Sequence, residues 1–146
     1  MFGELKSFEL EELSKIISTK DYEEGDIIFN QGEDSTELYI LLKGGIDLQI
    51  KLAPQIGETT IYPVKPNEIF GEFAFVDPNP RSATARCSKK TTVAVIRKND
   101  FDELCKSFPS IGFGFYQHVT KHLVDRLRRM NNYVRQVFVR SCGLEE

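Results

Sequence analysis

The chain has 146 residues, of which 40% are hydrophobic and 28% charged, so one domain can fold without disulfides or a structural metal. Its net charge of −3 argues against a nucleic-acid-binding protein, which usually carries an excess of basic residues. The 3 cysteines form no CxxC pair, and no apolar stretch reaches the roughly 18 residues of a membrane span. We therefore expect a single cytoplasmic domain over residues 1–146, with no nucleic-acid or membrane partner.

The N-terminal part, residues 1–19, is predicted to hold a short helix over residues 5–19. Ser7 is suited to the N-cap, and acidic residues follow it in the first turns, where the helix dipole favours them. The apolar residues recur at helical spacing, at Leu10, Leu13, Ile16 and Ile17.

Short strands are predicted throughout residues 20–98. Apolar and β-branched runs occupy residues 27–29, 38–42, 46–52, 59–64, 83–87 and 92–96. Residues that favour turns, mainly glycine, proline and asparagine, separate these runs. Strands at this spacing predict an antiparallel sandwich or barrel.

Residues 99–140 are predicted to be helical. Asn99 is suited to cap a first helix, and Pro109 favours the first position of a second, longer one. The longer helix carries a seam with coiled-coil spacing, formed by Phe113, Tyr116, Thr120, Leu123, Leu127, Met130, Val134 and Val137. The seam predicts either a parallel homodimer, which we favour because the pattern runs beyond the strand region, or packing against the strands. After residue 140 we expect no DNA-binding or catalytic domain.

The segment 70–84 interrupts the strand pattern and contains the residues best suited to bind a ligand. Gly71 allows a tight turn, and residues 72–76 could form one helical turn with free N–H groups. Arg81 could donate two parallel hydrogen bonds to a phosphate, and Glu72 could accept one from a ribose hydroxyl. These residues alone fit a turn with a surface salt bridge equally well, and that interpretation is the more common one for such loops.

The same segment closely resembles the phosphate-binding cassette of the cyclic nucleotide-binding domain family. That family includes the bacterial catabolite activator protein, the regulatory subunit of protein kinase A and cyclic nucleotide-gated channels. The matching residues are Phe70, Gly71, Glu72, Ala74, Pro80, Arg81, Ser82, Ala83 and Thr84. Segments 24–28, 31–33 and 38–44 resemble the glycine corners of the family. The resemblance implies a mainly β fold, an antiparallel β-roll of jelly-roll type with an N-terminal helix and two C-terminal helices.

The resemblance also implies the roles of individual residues. Arg81 pairs with the cyclic phosphate, and Glu72 accepts a hydrogen bond from the ribose 2′-OH. Further phosphate contacts come from backbone N–H groups and from the Ser82 hydroxyl. The ligand-binding residues implied are Phe70, Gly71, Glu72, Phe73, Ala74, Arg81, Ser82 and Ala83.

The base and the long helix are assigned on weaker signals. Ser82 is intermediate between the Ala that often accompanies cAMP and the Thr that often accompanies cGMP in this family. We expect cAMP as the ligand, with cGMP possible and no cofactor required. Asn131 on the long helix is the candidate contact for the base, and the alternative is that it is an exposed helix residue. Arg126 or Arg128 could pair with Glu72, and the alternative is that Arg126, Arg128 and Arg129 form a solvated face.

The predicted function is therefore a non-enzymatic sensor of a cyclic nucleotide. The alternative is a ligand-free oligomerisation or protein-interaction module with the same fold. A metal-dependent enzyme on a similar roll is disfavoured because residues 20–98 contain no histidine. His118 and His122 have the i, i+4 spacing of metal ligands, but no third ligand is evident, so a surface pair is the preferred interpretation.

Overall fold

The computed structural model describes residues 5–144, so residues 1–4 and 145–146 of the predicted domain lie outside the described residues. Its helices are α1 (Ser7–Ser14), α2 (Glu72–Val76), α3 (Lys98–Ser107) and α4 (Pro109–Ser141). Its strands are β1 (Ile17–Tyr22), β2 (Ile27–Phe29), β3 (Leu38–Lys43), β4 (Ile46–Lys51), β5 (Glu58–Val64), β6 (Ile69–Phe70), β7 (Thr84–Cys87) and β8 (Thr91–Ile96).

The strands form two four-stranded sheets with the orders β1-β8-β3-β6 and β2-β7-β4-β5. Every pair of neighbouring strands is antiparallel. Except at the β4–β5 hairpin, consecutive strands belong to different sheets, so the chain winds as a roll around a shared interior. The predicted antiparallel β-roll with flanking helices is confirmed.

Strands β3 and β8 lie in the middle of their sheet and are largely buried on both faces, which explains why their sequences are mostly apolar without alternation. Tyr39 and Leu41 point into the roll, where they join the core between the two sheets. Leu38 and Ile40 lie on the opposite face and join a second core beneath the helices. Strand β8 alternates in the same way, with Val93 and Val95 inside the roll and Ala94 and Ile96 outside it.

Three phenylalanine rings tie the short helix α2 to the two C-terminal helices. Phe75 of α2 lies 5.4 Å from the Phe101 ring of α3 and 5.6 Å from the Phe115 ring of α4, measured between centroids. The rings of Phe101 and Phe115 are 4.4 Å apart, and all three side chains are fully buried. A shift of α2 therefore changes the packing of α3 and α4 directly.

The predicted N-terminal helix over residues 5–19 is wrong in its second half. Helix α1 ends at Ser14, and Ile17–Tyr22 form strand β1. All six residues of β1 pair with β8, from Ile17 opposite Ile96 to Tyr22 opposite Thr91. The paired residues are 69 to 79 positions apart in the chain, so helical spacing within the segment could not indicate the pairing.

The helix caps also differ from the prediction. Lys6, not Ser7, occupies the N-cap of α1, and its backbone N–H donates to the Glu9 carboxylate at 2.8 Å. Helix α3 begins at Lys98 with Arg97 as its N-cap, so Asn99, the predicted N-cap, lies inside the helix. Strand β6 was not predicted because it has only two residues. Pro109 does open the long helix, as predicted.

Helix α4 divides into a packed first half and a more exposed second half. Ile111, Phe115 and Val119 are buried against the outer face of the roll. Phe113 and Val137 of the seam are 68% and 47% exposed, so the seam as a whole does not pack against the strands. The homodimer stays a prediction. Among residues 5–144, no helix combines the length and apolar character of a membrane span, and the cytoplasmic location likewise stays a prediction.

Candidate functional site

Gly71 creates the turn that starts the site. Its backbone is left-handed, with φ of 74°, and it directly precedes helix α2. A Cβ atom at this position would lie 2.9 Å from Nη1 of Arg81 and 3.2 Å from the carbonyl oxygen of Glu37. Only glycine satisfies both the conformation and the space without displacing the arginine.

Arg81 is the most thoroughly anchored charged side chain of the site, with 3% of its surface exposed. Its Nε donates to the Ser35 hydroxyl at 2.8 Å. Nη1 donates to the Gly71 carbonyl and Nη2 to the Glu37 carbonyl, each at 2.9 Å. A guanidinium has five N–H groups, so within residues 5–144 one remains on Nη1 and one on Nη2. Two adjacent donors are the arrangement that a phosphate accepts from arginine.

Aromatic rings complete the setting of Arg81. The guanidinium carbon lies 4.2 Å from the centroid of the Phe29 ring and 5.8 Å from that of Tyr39. Burial lowers the pKa of Arg81, while Tyr39 and Glu37 oppose this shift. Burial also raises the pKa of Tyr39 to about 12. The phenol therefore stays neutral, and Arg81 remains a buried cation. Nearby carboxylates such as that of Glu37 offset only part of the cost of burying its charge.

Glu72, the first residue of α2, is 1% exposed and pairs with Arg126 of α4 through its Oε1. Burial raises the pKa of Glu72, and the charge of Arg126 acts in the opposite direction. Sequence reasoning predicted Arg126 or Arg128 as the partner. The structure confirms Arg126, whereas Arg128 is exposed.

Arg126 also contacts a residue of each sheet. Its guanidinium carbon is 4.4 Å from the centroid of the Tyr62 ring, and Nη2 donates to the Ile69 carbonyl at 3.3 Å. Arg129, one turn later, donates to the Tyr62 hydroxyl at 3.3 Å. Among the described residues, Nε of Arg126 and Nε2 of His122 are buried without a hydrogen-bond partner. The face of α4 that carries His122 and Arg126, which we call the helix wall, is thus less completely hydrogen-bonded than the part of the roll that holds Arg81.

A cavity of about 460 Å³ lies between the helix wall and the part of the roll that holds Arg81. That volume is within the range of about 300–1,000 Å³ typical of small-molecule sites. The charged residues of its lining are Lys65, Glu72, Arg81, Arg126 and Arg129. The cavity is therefore locally basic although the whole chain carries a net charge of −3, and it suits an anionic ligand.

Most of the predicted ligand-binding residues line this cavity, namely Gly71, Glu72, Phe73, Ala74, Arg81, Ser82 and Ala83. Phe70 does not line it, because its side chain is fully buried in the roll and stacks on Tyr39 at 5.2 Å. Asn131 is exposed and also lies outside the lining, since Leu127 and Met130 occupy the cavity face of α4. Its predicted contact with a base has no support in this geometry.

Sequence reasoning missed Ser35, Glu37 and Tyr62. Ser35 and Glu37 lie in a polar loop 44 to 46 positions from Arg81, and no local pattern links them to it. Tyr62 lies in strand β5, where an aromatic residue is typical of a core position. The spacing of Leu123, Leu127 and Met130 on α4 was the signal for the helix wall, and it was interpreted as part of a seam.

Metal chemistry has no anchor in the part of the chain that the structure describes. Residues 5–144 contain no group of three or more His, Cys, Asp or Glu side chains arranged to hold a metal ion. His118 and His122 lie on α4, and His122 is packed near Arg126 rather than in an open site.

The chain is similar in sequence to regulators that respond to cAMP. It is 29% identical over 121 residues to the CRP-like cAMP-activated global transcriptional regulator of Mycobacterium tuberculosis, covering 82% of this chain and 51% of that protein. It is 28% identical over 97 residues to the cAMP-dependent protein kinase regulatory subunit of Mycosarcoma maydis, covering 66% of this chain and 18% of that one. The chain thus spans about half or less of the length of these relatives.

Solved structures give the same result for the fold. The Catabolite Activator Protein of Thermus thermophilus aligns with a TM-score of 0.76 and 25% identity, covering 93% of this chain and 62% of that chain. A cyclic nucleotide-binding domain from Methylobacillus flagellatus aligns with a TM-score of 0.85 and 24% identity, covering 93% and 76% of the two chains.

The sequence profile of one family covers most of the chain. It is described as the cyclic nucleotide-binding domain, and it matches residues 19–108. The match includes both sheets from within β1 onward, the whole cassette and helix α3. The chain belongs to the cyclic nucleotide-binding domain family.

Proposed function

We propose that the chain is a regulatory domain that binds a 3′,5′-cyclic nucleotide, with the cyclic phosphate on Arg81. The observation that carries this proposal is the buried guanidinium at the cavity wall. Three of its N–H groups are fixed by protein oxygens, and two remain for a ligand. A cation held in this way discriminates anions by geometry as well as charge.

A cyclic phosphate carries one negative charge, which a single arginine can match. Backbone N–H groups of Phe73 or Ala74 and of Ala83, with the Ser82 hydroxyl, are the further phosphate contacts in this proposal. All four residues line the cavity, and Phe73 and Ser82 are exposed enough to reach a ligand.

The ribose is assigned to Glu72. A carboxylate that is 1% exposed needs donors to offset its desolvation, and Arg126 supplies one. The ribose 2′-OH is the second donor in this proposal. Glu72 and Arg81 border the same cavity, so one ligand can reach both.

For the base, cAMP is the first candidate and cGMP the second. The printed names of two relatives support cAMP. In the structure the base would lie against Met130 and Tyr62, which line the cavity, rather than against Asn131. Asn131 could contribute only after a rearrangement or from a second copy.

The output of the domain is assigned to α4. Arg126 connects Glu72 to this helix, so ligand occupancy changes a contact on which the helix depends. The seam in the second half of α4 is exposed, with Val134 at 44% and Val137 at 47%, which supports a parallel homodimer through this helix. Sedimentation at high concentration is expected to give a dimer, and a monomer at all concentrations would reject this part of the proposal.

A binding role is preferred over catalysis and over a ligand-free module. The buried charges at the cavity wall weigh against the ligand-free alternative, because burying Glu72 and Arg81 destabilises the fold unless partners compensate them. The printed names of two relatives, a transcriptional regulator and a kinase regulatory subunit, support a regulatory binding role rather than catalysis.

The direct test is a thermal-shift panel with cAMP, cGMP and AMP. A ligand that binds the native state raises the unfolding midpoint by mass action. We expect the largest rise with cAMP, a smaller one with cGMP and little with AMP. No rise with either cyclic nucleotide at millimolar concentration would reject the proposed function.

A further inference from the structure

Two oxygens of Glu37 face the same nitrogen of Arg81. The Glu37 carbonyl accepts a hydrogen bond from Nη2 at 2.9 Å. Its carboxylate Oε2 lies 3.6 Å from Nη2, too far for a normal hydrogen bond but close enough for an ion pair. The Glu37 side chain is 37% exposed and that of Arg81 only 2%. The carbonyl therefore holds the guanidinium in place, and the carboxylate adds mainly charge.

This carboxylate is close to any anion that Arg81 binds. A phosphate oxygen that accepts the free N–H of Nη2 lies about 2.8 Å from that nitrogen, hence within about 7 Å of the Glu37 carboxylate. That separation is below the Debye length of about 8 Å at physiological salt, so screening does not remove the repulsion. Glu33, which also acts on Arg81, has its carboxylate on the Asn30 N–H at 2.9 Å.

A lone arginine does not favour the ligand of the proposed function on charge. A 5′-monophosphate carries about −1.5 to −2 charges at pH 7, whereas a cyclic phosphodiester carries one. The cation alone therefore attracts the monoester more strongly. A nearby carboxylate acts in the opposite direction, because its repulsion also grows with the charge of the ligand.

Given the proposed function, we infer that Glu37 is a specificity-determining residue that disfavours dianionic phosphate monoesters at Arg81 relative to cyclic phosphodiesters. The repulsive element lowers the affinity for both ligands and lowers it more for the monoester. Specificity of this kind is a difference of two affinities, and it is obtained here by destabilising the competitor.

The test is the variant Glu37→Gln, which keeps the backbone carbonyl and removes the charge. Affinities for cAMP and AMP are measured by displacement of a fluorescent cyclic nucleotide from the full chain at pH 7.5. The matched control is Glu58→Gln, which removes the same charge from a side chain of similar exposure, 35%. Neither glutamate lines the cavity, but Arg81, the partner of Glu37, does, whereas Arg86, the partner of Glu58, does not. The interaction energy of an exposed ion pair corresponds to about a threefold change in affinity for each charge on the ligand.

We expect Glu37→Gln to bind cAMP about threefold and AMP about tenfold more tightly than the parent chain. The ratio of the AMP and cAMP dissociation constants then falls about threefold, while Glu58→Gln leaves it unchanged. Glu37→Ala, which adds no amide, is expected to give the same ratio as Glu37→Gln.

Two results would overturn the inference while leaving the proposed function intact. One is an unchanged ratio in both Glu37 variants. The other is weaker cAMP binding by both, which would mean that the carboxylate holds Arg81 for the ligand. Failure of the parent chain to bind any cyclic nucleotide rejects the proposed function, and the inference falls with it.

Discussion

Arg81 and Arg126, which both line the cavity, are held in different ways. Arg81 donates three hydrogen bonds of 2.8 to 2.9 Å to oxygens of the roll and packs on Phe29. Arg126 comes from α4, pairs with Glu72, reaches the Ile69 carbonyl only at 3.3 Å and leaves its Nε without a partner among the described residues. One end of the cavity is fixed by the roll, and the other depends on how a helix is docked.

The difference assigns separate tasks to the two ends. A site that recognises a phosphate benefits from donors that are already in position, because no ordering is needed when the ligand arrives. A wall that reports occupancy must be able to move, so its contacts should be fewer and weaker. Changes at Arg81 are therefore expected to abolish recognition, and changes at the helix wall to adjust it.

The largest effect is expected at Arg81. Arg81→Ala removes the phosphate donors and leaves three protein acceptors unsatisfied, so affinity for cAMP should fall at least tenfold and stability by about 1–3 kcal/mol. Calorimetry measures the first quantity and urea unfolding the second.

Arg81→Lys serves as the second variant, because it keeps the charge but loses the planar fork. It is expected to bind more weakly than the parent and better than Arg81→Ala. Unchanged affinity in either variant would show that the phosphate does not bind at this arginine.

An intermediate effect is expected at Glu72, which pairs with Arg126 and lines the same cavity as Arg81. Glu72→Gln keeps the size of the side chain and weakens its acceptance from a ribose hydroxyl, so cAMP affinity should fall about fivefold. The ligand 2′-deoxy-cAMP lacks that hydroxyl and is expected to lose clearly less. Equal losses for the two ligands, measured by the same titration, would remove the ribose role of Glu72.

The smallest effect concerns His122 in the helix wall. Burial, with help from Arg126, lowers the pKa of His122 to about 4, from an ordinary value near 6.5. The unfolded chain then binds more protons than the folded one between these values, so His122 destabilises the fold as pH falls from 6.5 towards 4. The groups that act on it are Arg126, Glu68, His118 and Asp125.

We expect the unfolding midpoint of the parent chain to fall between pH 7.5 and pH 5 by a few degrees more than that of His122→Gln. His118→Gln, on the same helix, removes a histidine without removing the buried one and should keep the parental dependence. Parallel pH profiles for the parent and His122→Gln would show that the histidine is not held neutral by the fold.

How far the sequence predicts the structure depends on the range of the interactions. The cassette was predictable because Gly71, Glu72 and Arg81 lie within 11 positions of a segment that resembles a known family, whereas the residues alone also fitted a surface turn with a salt bridge. Strand β1 was not predictable, since its partners in β8 lie 69 to 79 positions away and its residues also fit a helix.

The range of the interactions also explains which residues of the site were predicted from the sequence and which were not. Arg126 was one of two candidate partners for Glu72, 54 positions away, because the family resemblance implies that the long helix forms a lid over the site. Ser35 and Glu37 carry no local sign of their contact with Arg81. Asn131 was one of several polar residues on α4, and the register of the helix, which only the tertiary packing fixes, leaves it outside the cavity lining.

The central claim is that a cyclic phosphate binds the two free N–H groups of Arg81. A crystal structure of the chain grown with cAMP tests it most directly. The account predicts two phosphate oxygens within hydrogen-bond distance of Nη1 and Nη2, with the three protein contacts of Arg81 unchanged. A nucleotide bound elsewhere on the chain, or bound in the cavity with its phosphate away from Arg81, would contradict the account.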